Sequence, residues 1–449
     1  EDLNASGFAI AIRPFAPASD DSDEEDEADL GSEDADSAEE FASETAAGSG
    51  GGGGWSLGGS VARIKLGGVT AATLETSAGA TVDAGGDVSV EALSTARTAA
   101  VSVGAQISTG SNLAASVALA NQKQLVLSQI QGDGTVTGAD LHVLSTADAS
   151  NWSIAGLALV SGDLAIGGTV SVNDTDIETR AEIDGTIVET GPANGLIVDA
   201  EDRSRALGVA LAGGGGSNAF GASVGVASMR GTTEAIVRDA TITAGTASAK
   251  VRADRDPTLS GFVFQAGIGT SNAAGAAISV AHMGGETRAL AENSTLVSDN
   301  DIIVKAGADA DLASAAVGIA VGGNLGVTGS TAIATRADTV LAQADDSTLT
   351  ADDSILVQAL GGTLYTTLGG GEETLVGDML SGTVSASFGG SVGVGVSVAV
   401  VKAANSVEAL VTGTSVLTAN GTLADGGVTG IGRSPFSDYR TTFPTPYHG

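Results

Sequence analysis

The segment DVSVEA at 87–92 decides the fold, because the chain repeats its pattern at nearly constant intervals. Its later copies are DLHVLS at 140–145, GLIVDA at 195–200, SAKVRA at 248–253, DIIVKA at 301–306 and SILVQA at 354–359. Successive copies begin 53, 55, 53, 53 and 53 residues apart. A fixed period of this length indicates stacked copies of one unit, each covering a face that its neighbour cannot bury alone.

A second marker precedes each copy of the first and begins with Thr and an apolar residue before a turn. It reads TVDAGG at 81–86, TVTGAD at 135–140, TIVETG at 186–191, TITAGT at 241–246, TLVSDN at 295–300 and TLTADD at 348–353. The two markers together are typical of strand, turn and strand. Apolar residues alternate with small or polar ones through the rest of each unit, which is the period of a β-strand.

These patterns predict an all-β fold, a β-solenoid in the form of a right-handed β-helix with about seven repeats of ~53 residues. A rung of such a helix is usually much shorter than one of these repeats, so we expect each repeat to form two rungs. About fourteen rungs stacked ~4.8 Å apart would give a rod roughly 65–70 Å long.

The composition favours narrow strands over a bulky core, since 66 of the 449 residues are Gly and only 3% are aromatic. The net charge of −35 argues against a nucleic-acid partner, because binding to phosphate requires basic surface. The chain has no cysteine, which excludes disulfides and thiolate metal sites. It has no run of ~18 strongly apolar residues, so no membrane span is expected.

Changes in composition predict five regions. Residues 1–54 are expected to be a disordered acidic leader with a Gly linker, because thirteen acidic residues and no basic one lie between positions 20 and 40. Solenoid repeats follow over 55–360, and a last repeat over 383–424. The stretch 361–382 is predicted to be an inserted loop, either a neutral spacer or a binding loop that carries Tyr365 and the Glu372–Glu373 pair. Residues 425–449 form an irregular tail.

A Gly-rich turn between two alternating runs is a third marker, and its third residue is Asn or Asp. Gly and Asn tolerate the backbone angles of tight turns, so stacking should align these positions as a structural turn ladder joined by amide hydrogen bonds. The ladder residues are Asn112, Asp163, Asn218, Asn272 and Asn324.

A Thr-charge-Ala marker places Arg180, Glu234 and Arg288 at intervals of 54 residues. If the units stack, these three charges line one outer face with alternating sign.

The sequence contains no convincing catalytic, cofactor-binding or metal-binding constellation. His142, His282 and His448 occupy unrelated positions, which argues against a metal site, and no Ser pairs with a His and a carboxylate. We therefore expect a protein that is not an enzyme. Two alternatives stay open. Asp174 and Asp176 could serve a carbohydrate-active β-helix enzyme, and the acidic chain could be a Ca²⁺-binding extracellular matrix protein.

The order of DVSVEA-type strands, GSN or GGN turns and TVxAGG markers over about 60–420 resembles the repeats of giant bacterial surface proteins. These are of the leukotoxin and filamentous-haemagglutinin-like adhesin type. The resemblance implies a secreted or surface-exposed structural segment that acts as a stalk or adhesive rod, located outside the cell or on the bacterial surface. Expected partners are a host-cell or matrix glycan or protein receptor, or neighbouring copies, with no nucleic acid.

Overall fold

The computed structural model describes residues 3–11, 46–47, 55–361, 379–420, 428–433 and 441–442. The regular elements in these ranges are all β-strands, as the sequence predicts. They are β1 (Leu3–Ala11), β2 (Ala46–Ala47), β3 (Trp55–Thr76), β4 (Thr81–Asp83), β5 (Val88–Ser108), β6 (Ser111–Gly132), β7 (Thr135–Gly138), β8 (Leu141–Ser161), β9 (Leu164–Asp184), β10 (Ile187–Thr190), β11 (Leu196–Asp202), β12 (Arg205–Arg238), β13 (Thr241–Ala244), β14 (Ala249–Arg255), β15 (Thr258–Glu292), β16 (Thr295–Ser298), β17 (Ile302–Ala308), β18 (Asp311–Gly322), β19 (Leu325–Asp345), β20 (Thr348–Ala351), β21 (Ile355–Gly361), β22 (Met379–Gly389), β23 (Val392–Ala403), β24 (Ser406–Thr412), β25 (Val416–Ala419), β26 (Val428–Arg433) and β27 (Thr441–Thr442).

Strands of one repeat pair in parallel with the equivalent strands of the next. Val198 of β11 lies opposite Val251 of β14, which lies opposite Val304 of β17. Between 55 and 361 the paired residues are 52 to 56 positions apart, from Thr135 with Ile187 to Trp55 with Ser111. The result is an all-β structure of parallel sheets, an arrangement consistent with a β-helix or solenoid.

The expectation of two rungs per repeat is wrong, because a strand pairs with a residue one full repeat away rather than half a repeat away. Single strand segments of about twenty residues account for the difference: β5 has 21 residues and β6 has 22. The smaller sheet has seven strands in the order β25-β20-β16-β13-β10-β7-β4. At ~4.8 Å per strand this row is roughly 30 Å across, about half the predicted length.

Each repeat contributes three strand segments to a three-sided core at one end of the rung. The sides are the short Thr-apolar strands such as β7, the DxxVxA segments such as the start of β8, and the returning ends of strands such as β6. Val136, Leu141, Val143 and Ile130 from these sides belong to one cluster of fully or nearly fully buried side chains. Burial of each such side chain stabilises the fold by about 1.5–3 kcal/mol.

The rest of each rung is a thin projection that we call the wing, in which the chain runs outward and back around the Gly-rich turn. Its described segments include 55–63, 99–119, 152–172, 207–226, 260–280, 313–333 and 380–401. Inside the wing, Ser102 Oγ donates to Ser60 Oγ at 2.8 Å, and Ser116 Oγ donates to the Ser102 carbonyl at 2.9 Å. A serine that reaches the backbone of the opposite sheet shows how closely the two sheets approach. This explains the Gly, Ala and Ser content and the scarcity of aromatic residues.

The ends of the chain are partly described. Leu3–Ala11 of the expected disordered leader is strand β1, parallel to Ala96–Gly104 of β5. The acidic block at 20–40 and the Gly linker at 48–54 lie outside the described residues, as do residues 362–378 of the expected inserted loop and most of 425–449.

The pairing register accommodates the predicted insertion. Leu259 pairs with Leu312, 53 residues on, whereas Leu312 pairs with Met379, 67 residues on. The difference of 14 residues falls in the stretch that contains Tyr365 and the glutamate pair.

Candidate functional site

The predicted turn-ladder residues lie along the tip of the wing, and one pair of them is in direct side-chain contact. Asn218 and Asn272 are register partners, and Asn272 Nδ2 donates to Asn218 Oδ1 at 2.8 Å. Asn112 is fully buried and its Nδ2 donates to the Val160 carbonyl at 2.7 Å. Asp163 and Asn324 are exposed in their turns. Only the Asn218–Asn272 pair therefore has the amide-to-amide bond expected of a ladder.

Turn length explains why the other ladder residues do not meet. Asn272 lies opposite Leu325, one residue beyond Asn324, and Asn112 lies opposite Ala165, two residues beyond Asp163. The register also shifts between Gly216 and Asn218. A shift of one residue turns a side chain to the other face of the sheet, so aligned motifs need not give aligned side chains.

The predicted row of alternating charges is present on the outer face of the three-sided core. Glu234 is the register partner of both Arg180 and Arg288, with nitrogen–oxygen distances of 4.0 and 3.3 Å. Burial raises the pKa of Glu234, and the two guanidinium groups oppose that effect. Glu182 extends the row, since it accepts from Arg180 Nη2 at 2.8 Å and lies 3.4 Å from Arg238 Nη1. The row links successive rungs.

The two carboxylates considered for carbohydrate chemistry are engaged in ion pairs between rungs. Asp174 Oδ1 lies 3.1 Å from Arg230 Nη2, and its Oδ2 accepts from Asn121 Nδ2 at 3.1 Å. Asp176 Oδ2 lies 3.2 Å from Lys123 Nζ. Each of these partners comes from the adjacent rung, so the contacts hold neighbouring rungs together.

A shallow depression of about 360 Å³ opens beside Asp176, at the bend between wing and core. Arg230, His282, Glu286 and Thr339 also line it. His282 Nδ1 lies 2.8 Å from Thr335 Oγ1 on the next rung. His142 is on β8, in register with Ile197, whereas His448 lies outside the described residues. Within the described ranges no group of three or more His, Cys, Asp or Glu residues could hold a metal ion.

Behind this depression lies a buried ionic network that the sequence analysis missed. Its members are Asp202, Arg255, Arg336 and Asp338, whose side chains are 1–2% exposed. Arg255 Nη1 lies 3.2 Å from Asp338 Oδ1, and Arg336 Nε lies 2.5 Å from the other oxygen of that carboxylate. Arg255 Nε lies 3.5 Å from Asp202 Oδ2. Two guanidinium groups and two carboxylates thus balance in formal charge.

Backbone groups complete the network. Arg336 Nη1 donates to the Ala310 carbonyl at 2.9 Å, and Asp202 Oδ1 accepts from the Ser204 amide at 3.0 Å. Burial raises the pKa of Asp202, with Arg255 acting in the opposite direction. The network lies where the wing meets the core and holds the two together. Each of its charges already faces an opposite charge inside the protein, so we interpret it as structural.

The sequence did carry a signal for this network. Leu196, Val198 and Ala200 are the inward residues of β11, and the next inward position is Asp202. In β14 the corresponding position is Arg255. A charged residue that continues an inward apolar alternation must find a partner inside the fold.

The outer surfaces of the wing are apolar. Its segments from residue 99 onward contain one ionisable residue, Asp163, and segment 55–63 adds Arg63. We call the surface formed by the outward residues of the outgoing segments the front face, and that formed by the returning segments the back face. Ile107, Val160, Ile268 and Phe388 on the front face are 53–74% exposed. Phe220 and Ile278 on the back face are 39% and 40% exposed.

Comparisons with known proteins give no match: no family model, no curated protein and no solved structure is similar to this chain. The described residues also contain no helix long and apolar enough to cross a membrane. The geometry of the chain itself is therefore the basis for the functional proposals below.

Proposed function

We propose that this chain is a repetitive structural segment of a secreted or surface-exposed bacterial protein, acting as a stalk or adhesive rod. The fold behind this proposal is a right-handed β-solenoid of about seven repeats with one ~53-residue rung each. The supporting observation is the continuous parallel register, in which every repeat offers the next one the same strand edge. A stack of this kind grows in one direction by adding repeats and transmits load through many backbone hydrogen bonds.

The charged side chains support the same role. Contacts in the charged row connect three successive rungs through Arg180, Glu234 and Arg288. A second set of contacts connects three rungs through Asn121, Asp174 and Arg230. An isolated exposed pair contributes only about 0–1 kcal/mol, so these contacts act mainly by fixing register between rungs. The carboxylates that a carbohydrate-active enzyme would require are among them, which favours the structural function over the enzymatic one.

Pulling the chain from both ends by single-molecule force spectroscopy tests this proposal. Sequential release of whole rungs should lengthen the chain in steps of roughly 18–19 nm, since ~53 residues extend by at most ~3.6 Å each. Cooperative loss of the whole fold in one step at low force would count against a load-bearing stalk.

An adhesive function requires a second measurement. The full chain, immobilised on beads, should retain host cells or extracellular-matrix glycans and proteins, and the purified chain should leave polysaccharides intact. Depolymerisation that disappears in Asp174→Asn and Asp176→Asn variants would replace the structural proposal with the enzymatic one.

A further inference from the structure

The wing has its polarity reversed relative to an ordinary β-sandwich. Hydroxyl groups line its interior: Ser171 Oγ donates to Ser153 Oγ at 2.9 Å, and Ser314 Oγ donates to Ser279 Oγ at 2.9 Å. Most valine, leucine, isoleucine and phenylalanine side chains point outward instead. Most interior positions between the two sheets hold small residues, and the inward Leu157, Leu159 and Val263 are accommodated opposite Gly167 and Gly225.

The front face is the apolar surface without a charged residue, since the back face continues onto β3, where Arg63 is exposed. Each outgoing segment presents five consecutive outward positions, and Ser260 is the one polar residue among those of the six segments. With strands ~4.8 Å apart and outward residues ~6.6 Å apart, the face covers roughly 800 Å². Apolar patches on monomeric proteins rarely exceed about 300–600 Å², and ~800 Å² is what each partner contributes to a standard protein interface.

Large side chains and gaps alternate across the front face, and this surface suits a protein partner of the same shape. Large side chains stand beside positions that have none: Val103 and Leu211 lie in register with Gly156 on the neighbouring strands, and Leu211 is followed by Gly213 and Gly215 along β12. A Cβ added at Gly213 would meet no atom within 4 Å, so the gap is open to the outside. Aromatic residues are enriched in protein interfaces, and this face carries Phe262, Phe264 and Phe388.

We propose that the front face is a self-association surface, on which a second copy of this chain packs wing against wing. The wing's charged residues are Asp163 in a turn and Arg63 on the back face, so two front faces can meet without placing charged groups in contact. A lipid bilayer fits less well. The outer edges of β22 and β23 have no paired strand among the described residues, and open strand edges are not tolerated in hydrocarbon. This inference stands independently of the stalk function.

Analytical ultracentrifugation of the full chain over about 0.1–100 µM tests the proposal. We expect a concentration-dependent dimer whose association strengthens at least several-fold when NaCl rises from roughly 20 to 500 mM, because salt screens the repulsion between two acidic chains. A monomer at every concentration and salt level would overturn it.

Two matched variants identify the face. Leu211→Lys with Phe262→Lys alters front-face residues that are 37% and 38% exposed, and Phe220→Lys with Ile278→Lys alters back-face residues that are 39% and 40% exposed. The front variant should remain monomeric while the back variant dimerises like the parent. The opposite result, or equal loss in both, would contradict the assignment to the front face.

Spin labels identify the associating face without charged substitutions. Because the chain has no cysteine, Ala315→Cys on the front face and Ala276→Cys on the back face can each be labelled at one site. Dipolar broadening on concentration is expected for the front label alone. Binding of the chain to neutral phosphatidylcholine vesicles, with no self-association in their absence, would overturn the proposal in favour of a lipid partner.

Discussion

Arg255 Nη1 donates a 3.2 Å hydrogen bond to Asp338 Oδ1, although 83 positions separate the two residues in the chain. Arg255 ends the short strand β14 on one side of the rung, and Asp338 lies within β19 on the returning side. The bond therefore joins two walls of the β structure at the bend between wing and three-sided core. Only the complete network makes burial of these charges tolerable, because a buried charge without a partner costs several kcal/mol.

Replacement of Arg255 should be strongly destabilising. Arg255→Met would leave two buried carboxylates facing one guanidinium group, and we expect the free energy of unfolding to fall by about 3–5 kcal/mol. Arg203→Met is the control, since Arg203 is 59% exposed and its ion pair with Glu201 lies at the surface, so its loss should be within about 1 kcal/mol. Urea denaturation of both variants measures the difference. Equal losses would show that the buried network contributes no more than a surface pair.

A side chain at Gly285 should disturb the same network. A Cβ at this position would lie 2.4 Å from Arg255 Nη1 and 2.5 Å from the Gly231 carbonyl oxygen, so Gly285→Ala forces the guanidinium or the backbone to move. We expect a loss of about 1–3 kcal/mol in the free energy of unfolding, typical of overpacking. Gly329→Ala provides the comparison, because a Cβ there meets nothing within 4 Å. If both variants unfold at the same denaturant concentration, Gly285 does not make room for Arg255.

Asp199 gives the folding stability a defined pH dependence. Its pKa is raised from 3.8 to about 6, first by burial, with Arg252 opposing, and its Oδ1 has no hydrogen-bond partner. The folded state therefore holds this proton more tightly than the unfolded state does. The stabilisation from this group is complete below pH 3.8 and is lost as the pH rises to about 6. The total change is at most about 3 kcal/mol.

Asp199→Asn should remove the pH-dependent contribution of this residue to the folding stability. We expect the variant to be more stable than the parent at pH 7, with the advantage shrinking as the pH is lowered towards 4.5. Thermal unfolding at several pH values, reported as the difference between the two proteins, cancels the other titrating groups. A constant difference across this range would mean that Asp199 ionises normally in the folded protein.

The repeat period could be read from the sequence because stacking demands it. Each DxxVxA segment must match its neighbours in register, and Val198, Val251 and Val304 do so. The number of residues in a rung could not be read in the same way. Period-two alternation indicates a strand but does not show where the chain turns, and the segment from Val88 to Ser108 is one strand rather than two.

Alternation also does not say which of two faces is inside. In the wing, Val and Ser alternate, and the usual assumption that the apolar residue is buried is wrong there: Ser102 is fully buried while Val103 is 37% exposed. The two sheets approach closely, so small residues occupy most of the interior, and the buried Val263 packs where Gly225 has no side chain. This is why the apolar front face was not predicted, although the near absence of charge in these segments was visible in the sequence.

Deletion of one repeat tests the rung assignment directly. Leu141 and Leu196 are register partners, so removal of residues 141–195 places Leu196 where Leu141 was and lets β11 and β12 pair with β5. This deletion retains the buried network of Asp202, Arg255, Arg336 and Asp338. We expect a shorter protein that keeps the β-sheet circular dichroism spectrum and unfolds cooperatively. Removal of residues 141–168 cuts a rung in half and sets outgoing segments against returning ones, so that protein should aggregate or remain unfolded. If both deletions fold equally well, each repeat contains two equivalent narrow rungs and the one-rung assignment fails.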